Sequence, residues 1–210
     1  VTLAVLRAYR ELDAYVAQQR EGRWQPRPRI AKSAFGVGIL GFGVLGRAVA
    51  EALAPFGFPL RAWSLSRKRS PGVESFAGRA ELASFLAASQ VLVCLLPLTQ
   101  ETRGLLDRTA FAALPRGAHL VNVARGDIVV DDDLVAALDC GHLAGATLDV
   151  FRAEPLPSGH PFWHHPRITL TPHASAVTLV EDAALQVAAK IRRLERGESV
   201  TGTVDRARGY

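Results

Sequence analysis

The sequence has no methionine, only two cysteines and no apolar stretch long enough to cross a bilayer. The longest glycine-free apolar run, Val91 to Leu98, has 8 residues, against the roughly 20 that a membrane-spanning helix needs. No membrane partner is expected. Cys94 lies inside that run and Cys140 precedes a glycine, so the two make neither a disulfide framework nor a metal-ligand spacing, and a reducing, cytoplasmic setting is expected. The first residues, Val1-Thr2-Leu3, show neither an initiator nor a signal-peptide pattern, which reads as a fragment of a longer protein. What is present is ample: 49% apolar and 21% charged residues over 210 positions suit one large domain, or a domain with part of a second, and exclude disordered and fibrous classes. The net charge of +5 suits nucleic acid, an anionic surface or an anionic small molecule alike.

Val5, Tyr9, Leu12 and Val16 fall at i, i+4, i+7 and i+11, predicting one helix that ends before Gly22. The following Gly22-Arg23-Trp24-Gln25-Pro26-Arg27-Pro28-Arg29 is an extended basic linker, because its prolines fix φ and remove donors. Helix and linker make a first segment, 1–34. Short apolar runs then alternate with helical patterns: Phe35–Leu40, Pro59–Trp63, Val91–Leu95, Ala118–Val121, Ala144–Val150 and Ile168–Leu170. Such alternation predicts an α/β domain over 35–176, a doubly wound parallel sheet of the Rossmann kind covered on both faces. Val180, Ala184, Val187 and Ile191 predict a closing helix, followed by a basic tail, in a last segment 177–210.

Gly41, Gly43 and Gly46 form G-x-G-x-x-G between an apolar strand and a helix over Val44–Ala54. In that context the first glycine permits the turn, the second lets backbone amides approach a pyrophosphate, and the third lets helix and strand lie close. A dinucleotide cofactor follows. An NAD site usually places a carboxylate at the end of the second strand, roughly 20 residues on. Ser64 stands there, 18 positions after Gly46, followed by Leu65, Ser66, Arg67, Lys68 and Arg69. Hydroxyls and cations suit a 2′-phosphate, so NADP(H) is preferred and NAD(H) remains possible.

Asn122-Val123-Ala124-Arg125-Gly126-Asp127 follows a strand, placing Arg125 where it can fork onto a substrate carboxylate or carbonyl, or pair with Asp127 as a surface cation. Leu148-Asp149-Val150-Phe151 with Glu154-Pro155, and Thr171-Pro172-His173, follow later strands. Reduction of a ketone needs a hydride donor, a proton donor active near neutral pH and positive charge at the developing alkoxide. His173 oriented by Glu154, together with Arg125, supplies the last two.

These motifs and the glycine loop together resemble the D-isomer-specific 2-hydroxyacid dehydrogenases. Trp63-Ser64, Arg67-Lys68, Phe76-Ala77-Gly78-Arg79, Leu95-Leu96-Pro97, Asp139-Cys140-Gly141-His142, Glu154-Pro155-Leu156-Pro157 and the ending Val204 to Tyr210 are similar to the bacterial glyoxylate/hydroxypyruvate reductase branch. The resemblance covers nearly the whole chain. It implies NADPH-preferring reduction of a small 2-ketoacid (glyoxylate to glycolate, hydroxypyruvate to glycerate) with Arg125, Glu154 and His173 as the catalytic triad. It implies cofactor contacts from Gly41, Phe42, Gly43, Val44, Leu45, Gly46, Ser64, Ser66, Arg67, Lys68, Leu95, Leu96, Pro97, Val123, Ala124, Arg125, Asp149 and His173, with Asp149 near the nicotinamide amide. It also implies a homodimer, a first helix that connects two domains, and a substrate domain that is largely absent and to which the C-terminal helix returns. The expected fragment therefore binds cofactor but turns over poorly. Leu65 departs from the pattern, since another arginine of the 2′-phosphate set is expected there.

The alternative is a non-catalytic module that senses NAD(P)(H); a triad of acid, base and arginine argues against it. No nucleic-acid partner is expected, because the basic linker and tail lack aromatic interleaving. No metal is expected at His160, His164 and His165, whose prolines prevent a shared helical face. Asp131, Asp132 and Asp133 read as caps of the helix Leu134–Leu138, Cys94 as core, and His119 and His142 as lacking a visible partner. Trp24 reads equally as a packing anchor or as an aromatic reaching a partner subunit.

Overall fold

A computed structural model describes residues 1–176 and 178–204. The chain divides into two compact units, Val1–His173 and Ala174–Tyr210. The first is built on seven parallel strands: β1 Val37–Leu40, β2 Leu60–Ser64, β3 Val73–Ala77, β4 Val91–Cys94, β5 Ala118–Asn122, β6 Leu143–Leu148 and β7 Ile168–Leu170. Their order is β3-β2-β1-β4-β5-β6-β7, so the chain turns back between β1 and β4, the switch point at which such sheets open a crevice.

Six of these strands were expected from apolar runs; β3 was not. It is an edge strand with only partly buried residues and the polar Glu74 and Ser75, so it lacks the continuous hydrophobicity of strands covered on both faces. In β4 the side chains alternate between two cores. Leu92 and Cys94 join the cluster of α4 (Leu82–Ala87), α5 (Arg108–Ala113) and α6 (Asp131–Asp139). Val91 and Val93 join the cluster of α1 (Thr2–Tyr9) and α3 (Val44–Leu53). That two-residue period places helices on both faces, and each fully buried Leu or Val contributes about 1.5–3 kcal/mol.

The expected single N-terminal helix is two. α1 ends at Tyr9, Glu11 takes a left-handed φ of 48°, and α2 starts at Leu12 and runs to Arg20. The apolar stripe breaks with it. Val5 is fully buried in the cluster that holds Val37 and Ile39 of β1, and Tyr9 packs edge-on against Phe35 and Phe58, whereas Leu12 is exposed. Ion pairs hold the turned segment, Arg7 to Asp13 and Arg27 to Glu11. Trp24 is 96% exposed, so it does not anchor the linker by packing.

The first turn of α6 carries Asp131, Asp132 and Asp133, yet the expected side-chain cap is not made: the cap position is Val130. Asp133 accepts from the Arg108 backbone N–H at 3.0 Å, and Asp131 faces His160. In the second unit α7 runs from Val180 to Glu195 and leaves Val187 and Ile191 exposed. Val177 and 205–210, which include most of the resembling C-terminal ending, lie outside the described residues. Among the described residues, no helix is long and apolar enough to cross a membrane.

Candidate active site

The registers align Trp63, Leu40, Cys94, Asn122, Leu148 and Leu170 in one row across the sheet. The segments that follow therefore leave at a single edge, and they carry the residues singled out in the sequence.

At the centre, Gly41 has φ +108°, and a Cβ there would lie 2.8 Å from the Leu95 carbonyl carbon. Only glycine lets the β1 and β4 ends approach so closely. A Cβ on Gly46 would meet the Gly41 oxygen at 2.3 Å, while Gly43 faces open space. No side chain caps α3 at Gly43. A helix N-terminus with free amides, an open glycine and no capping side chain is suited to a pyrophosphate. Val44 and Leu45 are 86% and 63% exposed and Phe42 is buried, and the Leu95–Leu96 peptide, followed by Pro97, lies against Gly41.

At the end of β2 the Ser64 hydroxyl donates to the Ser66 carbonyl at 2.7 Å, which shapes the turn. Arg67 leans back along β3, donating to the Ser75 carbonyl and to Glu81. Arg47 reaches the same turn through the Arg69 carbonyl at 3.3 Å and lies over the Phe42 ring. Lys68 is half-buried. These hydroxyls and cations fit the 2′-phosphate of a dinucleotide, and no carboxylate follows β2 directly.

After β5, buried Asn122 fixes the next loop: its Oδ1 accepts from the Ala124 N–H and its Nδ2 donates to the Arg125 carbonyl, each at 3.1 Å. Val123 is half-buried and Arg125 is exposed. Asp127 pairs with Arg103, not with Arg125; Arg125 Nη1 donates to the Ala124 carbonyl at 2.6 Å. Gly126 packs against backbone so tightly that a Cβ would lie 2.0 Å from the Phe151 carbonyl carbon. The Arg125 loop thus abuts the loop that carries Glu154.

Glu154 accepts from the Phe151 N–H at 2.9 Å and meets His173 Nδ1 at 2.8 Å. The hydrogen bond from His173 holds the Glu154 carboxyl below the usual carboxylate range, helped by the Phe151 N–H and by the charges of His173 and Arg125. His173 sits at φ +53°, rare for a residue with a side chain. Its N–H donates to the Asp149 carbonyl at 2.8 Å. The Asp149 carboxylate is buried and accepts from the Thr171 hydroxyl at 2.5 Å. Beside the pair is a cavity of about 450 Å³ lined by Phe151, Leu156, Trp163, Leu170 and Pro172.

The sequence alone assigns no role to Asn122, Gly126, Thr171 or Glu81. Asparagine closing an apolar strand was a usable signal for the first; the others depend on contacts between distant segments. His119 and His142 do have partners: Thr147 Oγ1 at 3.1 Å, and the Phe111 and Leu114 carbonyls at 2.9 and 3.1 Å. His160 faces Asp131 and His165 faces Asp139.

Residues 2–175 match the family described as D-isomer specific 2-hydroxyacid dehydrogenase, NAD binding domain. A glyoxylate/hydroxypyruvate reductase A of Klebsiella pneumoniae is 53% identical over 206 residues, which cover 98% of this chain. The chain spans 66% of the length of that relative, just under two thirds. A D-isomer specific 2-hydroxyacid dehydrogenase of Xanthobacter autotrophicus, solved with NADPH and MES, superposes with a TM-score of 0.95 at 46% identity, covering 100% of this chain and 86% of that one. The NADPH-dependent glyoxylate/hydroxypyruvate reductase of Sinorhizobium meliloti, solved with NADP and sulfate, gives a TM-score of 0.95 at 36% identity and covers 100% and 67%. The chain belongs to the D-isomer specific 2-hydroxyacid dehydrogenases.

Proposed function

We propose that the chain is the dinucleotide-binding part of an NADPH-dependent reductase of small 2-ketoacids, taking glyoxylate to glycolate and hydroxypyruvate to glycerate, with NADH as the weaker donor. The observation that carries this reading is the 2.8 Å contact of His173 with Glu154 at the sheet edge of the uncapped glycine loop, where Arg125 acts on the same carboxylate. The names of the similar proteins, which include NADPH-dependent glyoxylate/hydroxypyruvate reductase, support it.

Bound NADPH supplies the hydride. Glu154 holds Nδ1 of the His173 ring, which leaves Nε2 to pass a proton to the carbonyl oxygen as the alkoxide forms. Arg125 forks onto the ketoacid and balances the developing negative charge. Gly41, Gly43 and Gly46, with the amides of Val44 and Leu45, take the pyrophosphate. Ser64, Ser66, Arg67 and Lys68 would take the 2′-phosphate, Asp149 the nicotinamide amide, and Phe42, Leu95, Leu96, Pro97, Val123 and Ala124 the remaining cofactor contacts. The assembly is a cytoplasmic homodimer in which Trp24 reaches the second subunit and 177–210 returns to a substrate domain.

Fluorescence titration with NADPH and NADH, and oxidation of each in the presence of glyoxylate or hydroxypyruvate, test the reading. NADPH is expected to bind more tightly, and His173→Asn to abolish turnover while leaving NADPH affinity within about twofold. Tighter NADH binding, or turnover unaffected by His173→Asn, would refute it. NADPH binding without hydride transfer even when the chain is joined to its substrate domain would favour a sensing module.

A further inference from the structure

We propose that Glu81 is a specificity-determining residue: its carboxylate holds the Arg67 guanidinium against β3 and thereby limits how strongly the chain prefers a dinucleotide bearing a 2′-phosphate. The proposal rests on the reading that the Ser64–Arg69 turn receives that phosphate.

Glu81 and Arg67 come from opposite sides of the edge strand β3. Glu81 follows the strand, in the short 3-10 turn Arg79–Glu81, and Arg67 precedes it. The carboxylate is not free to swing. Its Oε2 accepts from the Ala77 N–H at 2.7 Å, so one oxygen is tied to the strand end while Oε1 receives Arg67 Nη2. A second tie runs from Arg67 Nη1 to the Ser75 carbonyl. The guanidinium has five N–H donors. Two are spent here, and the remaining three, on a side chain half exposed to solvent, are free for a ligand.

The turn offers Arg67, Lys68 and Arg69, joined by Arg47 through the Arg69 carbonyl. Glu74, the acid within β3, is already paired with Arg61. Glu81 therefore subtracts one charge from the cluster, at the cation that is best able to fork onto a phosphate. A phosphate carrying close to two negative charges at neutral pH must share Arg67 with a fixed carboxylate or displace it. A dinucleotide with a bare 2′-hydroxyl makes no such demand, so Glu81 bears on one cofactor and not the other.

Glu81→Gln removes the charge but keeps an oxygen for the Ala77 N–H. It is expected to tighten NADPH roughly three- to tenfold, with NADH affinity within about twofold of the parent. The tightening should shrink as salt rises. In a chain that also carries Arg67→Gln, the same change should tighten NADPH less than about twofold, because the residue acts through Arg67. The readout is the fluorescence titration of NADPH and NADH, repeated with adenosine 2′-monophosphate as competitor; circular dichroism verifies the fold of each variant. If the parent prefers NADPH and Arg67→Gln weakens it, but Glu81→Gln does not tighten it, the proposal is overturned and the 2′-phosphate reading stands. If Arg67→Gln leaves NADPH affinity unchanged, both fall. A gain that survives Arg67→Gln would overturn the route through Arg67.

Discussion

Acid is expected to destabilise the fold through His119, at the end of the sheet opposite the glycine loop. The side chain is 6% exposed, its Nε2 bonds the Thr147 hydroxyl, and burial pushes its pKa from 6.5 down to about 4. Asp13 and Arg7, from α2 and α1, act on it in opposite directions, Asp13 raising and Arg7 lowering it. Gly145 makes room for the ring, since a Cβ there would lie 2.9 Å from two of its atoms. Unfolded His119 takes up a proton as pH falls through its ordinary value, whereas the folded side chain resists until about 4. Between the two values the unfolded chain holds more protons, so stability falls with pH. Moving from pH 7.5 to pH 5 should therefore cost about 2 kcal/mol at this one site, or roughly 4–8 °C in Tm for a chain of this size. Thermal unfolding by circular dichroism at the two pH values, in the parent and in His119→Gln, isolates the contribution. The variant starts from a lower Tm but should lose several degrees less on acidification. NADPH affinity should be unchanged. Equal losses in parent and variant would refute the assignment of a buried, neutral imidazole.

Gly126→Ala forces the Arg125 loop away from the Phe151 backbone, where a Cβ would lie 2.0 Å from a carbonyl carbon. Turnover is expected to fall roughly tenfold to a hundredfold and stability by about 1–3 kcal/mol, read by ketoacid-dependent NADPH oxidation and by thermal unfolding; unchanged values would mean that the loops are not in register. Thr171→Val, nearly isosteric, withdraws the hydroxyl from the buried Asp149 carboxylate and should cost about 1–3 kcal/mol, with a raised KM for NADPH and a smaller change in kcat. Unchanged stability, KM and kcat would refute a positioning role for Thr171.

Much of this arrangement was legible because the sheet writes itself into continuous apolar runs: β1 and β4 are wholly buried, and only strands covered on both faces read that way. β3 escaped because an edge strand needs no such run. The break at Glu11 escaped for a different reason. The apolar period continued through Leu12 and Val16, but the turn is held by charges, Arg7 with Asp13 and Arg27 with Glu11, which periodicity does not register. The same holds for Asp131–Asp133. Their position in the first turn of α6 was legible, whereas their actual partners, Arg108 and His160, come from segments more than twenty residues away. The places of Gly41, Gly43 and Gly46 in the fold could be read because their spacing is local, and those of Arg125, Glu154 and His173 at one sheet edge because each follows a strand. The contacts that tie those pieces together, Gly126 on Phe151 and Thr171 on Asp149, are tertiary and leave no local pattern.

The tie between Thr171, Asp149 and His173 also explains how an imidazole can be held in a loop at the surface. His173 adopts a left-handed φ that costs a residue with a Cβ about 1–2 kcal/mol. Such a conformation persists only where its surroundings determine it several times over. Here the His173 N–H bonds the Asp149 carbonyl, the Thr171 N–H bonds the Leu148 carbonyl, and the Thr171 hydroxyl bonds the Asp149 carboxylate. Strand β7 thus hands its register directly to the loop after it, and the ring is fixed at Nδ1 by Glu154. Because Asp149 is bonded through both its carbonyl and its carboxylate, the residue proposed to take the nicotinamide amide and the residue proposed to give the proton are parts of one hydrogen-bonded unit. Their spacing is then set by the pairing of β6 with β7, not by the ligand, and a preset spacing is what hydride and proton delivery to adjacent atoms of one carbonyl requires.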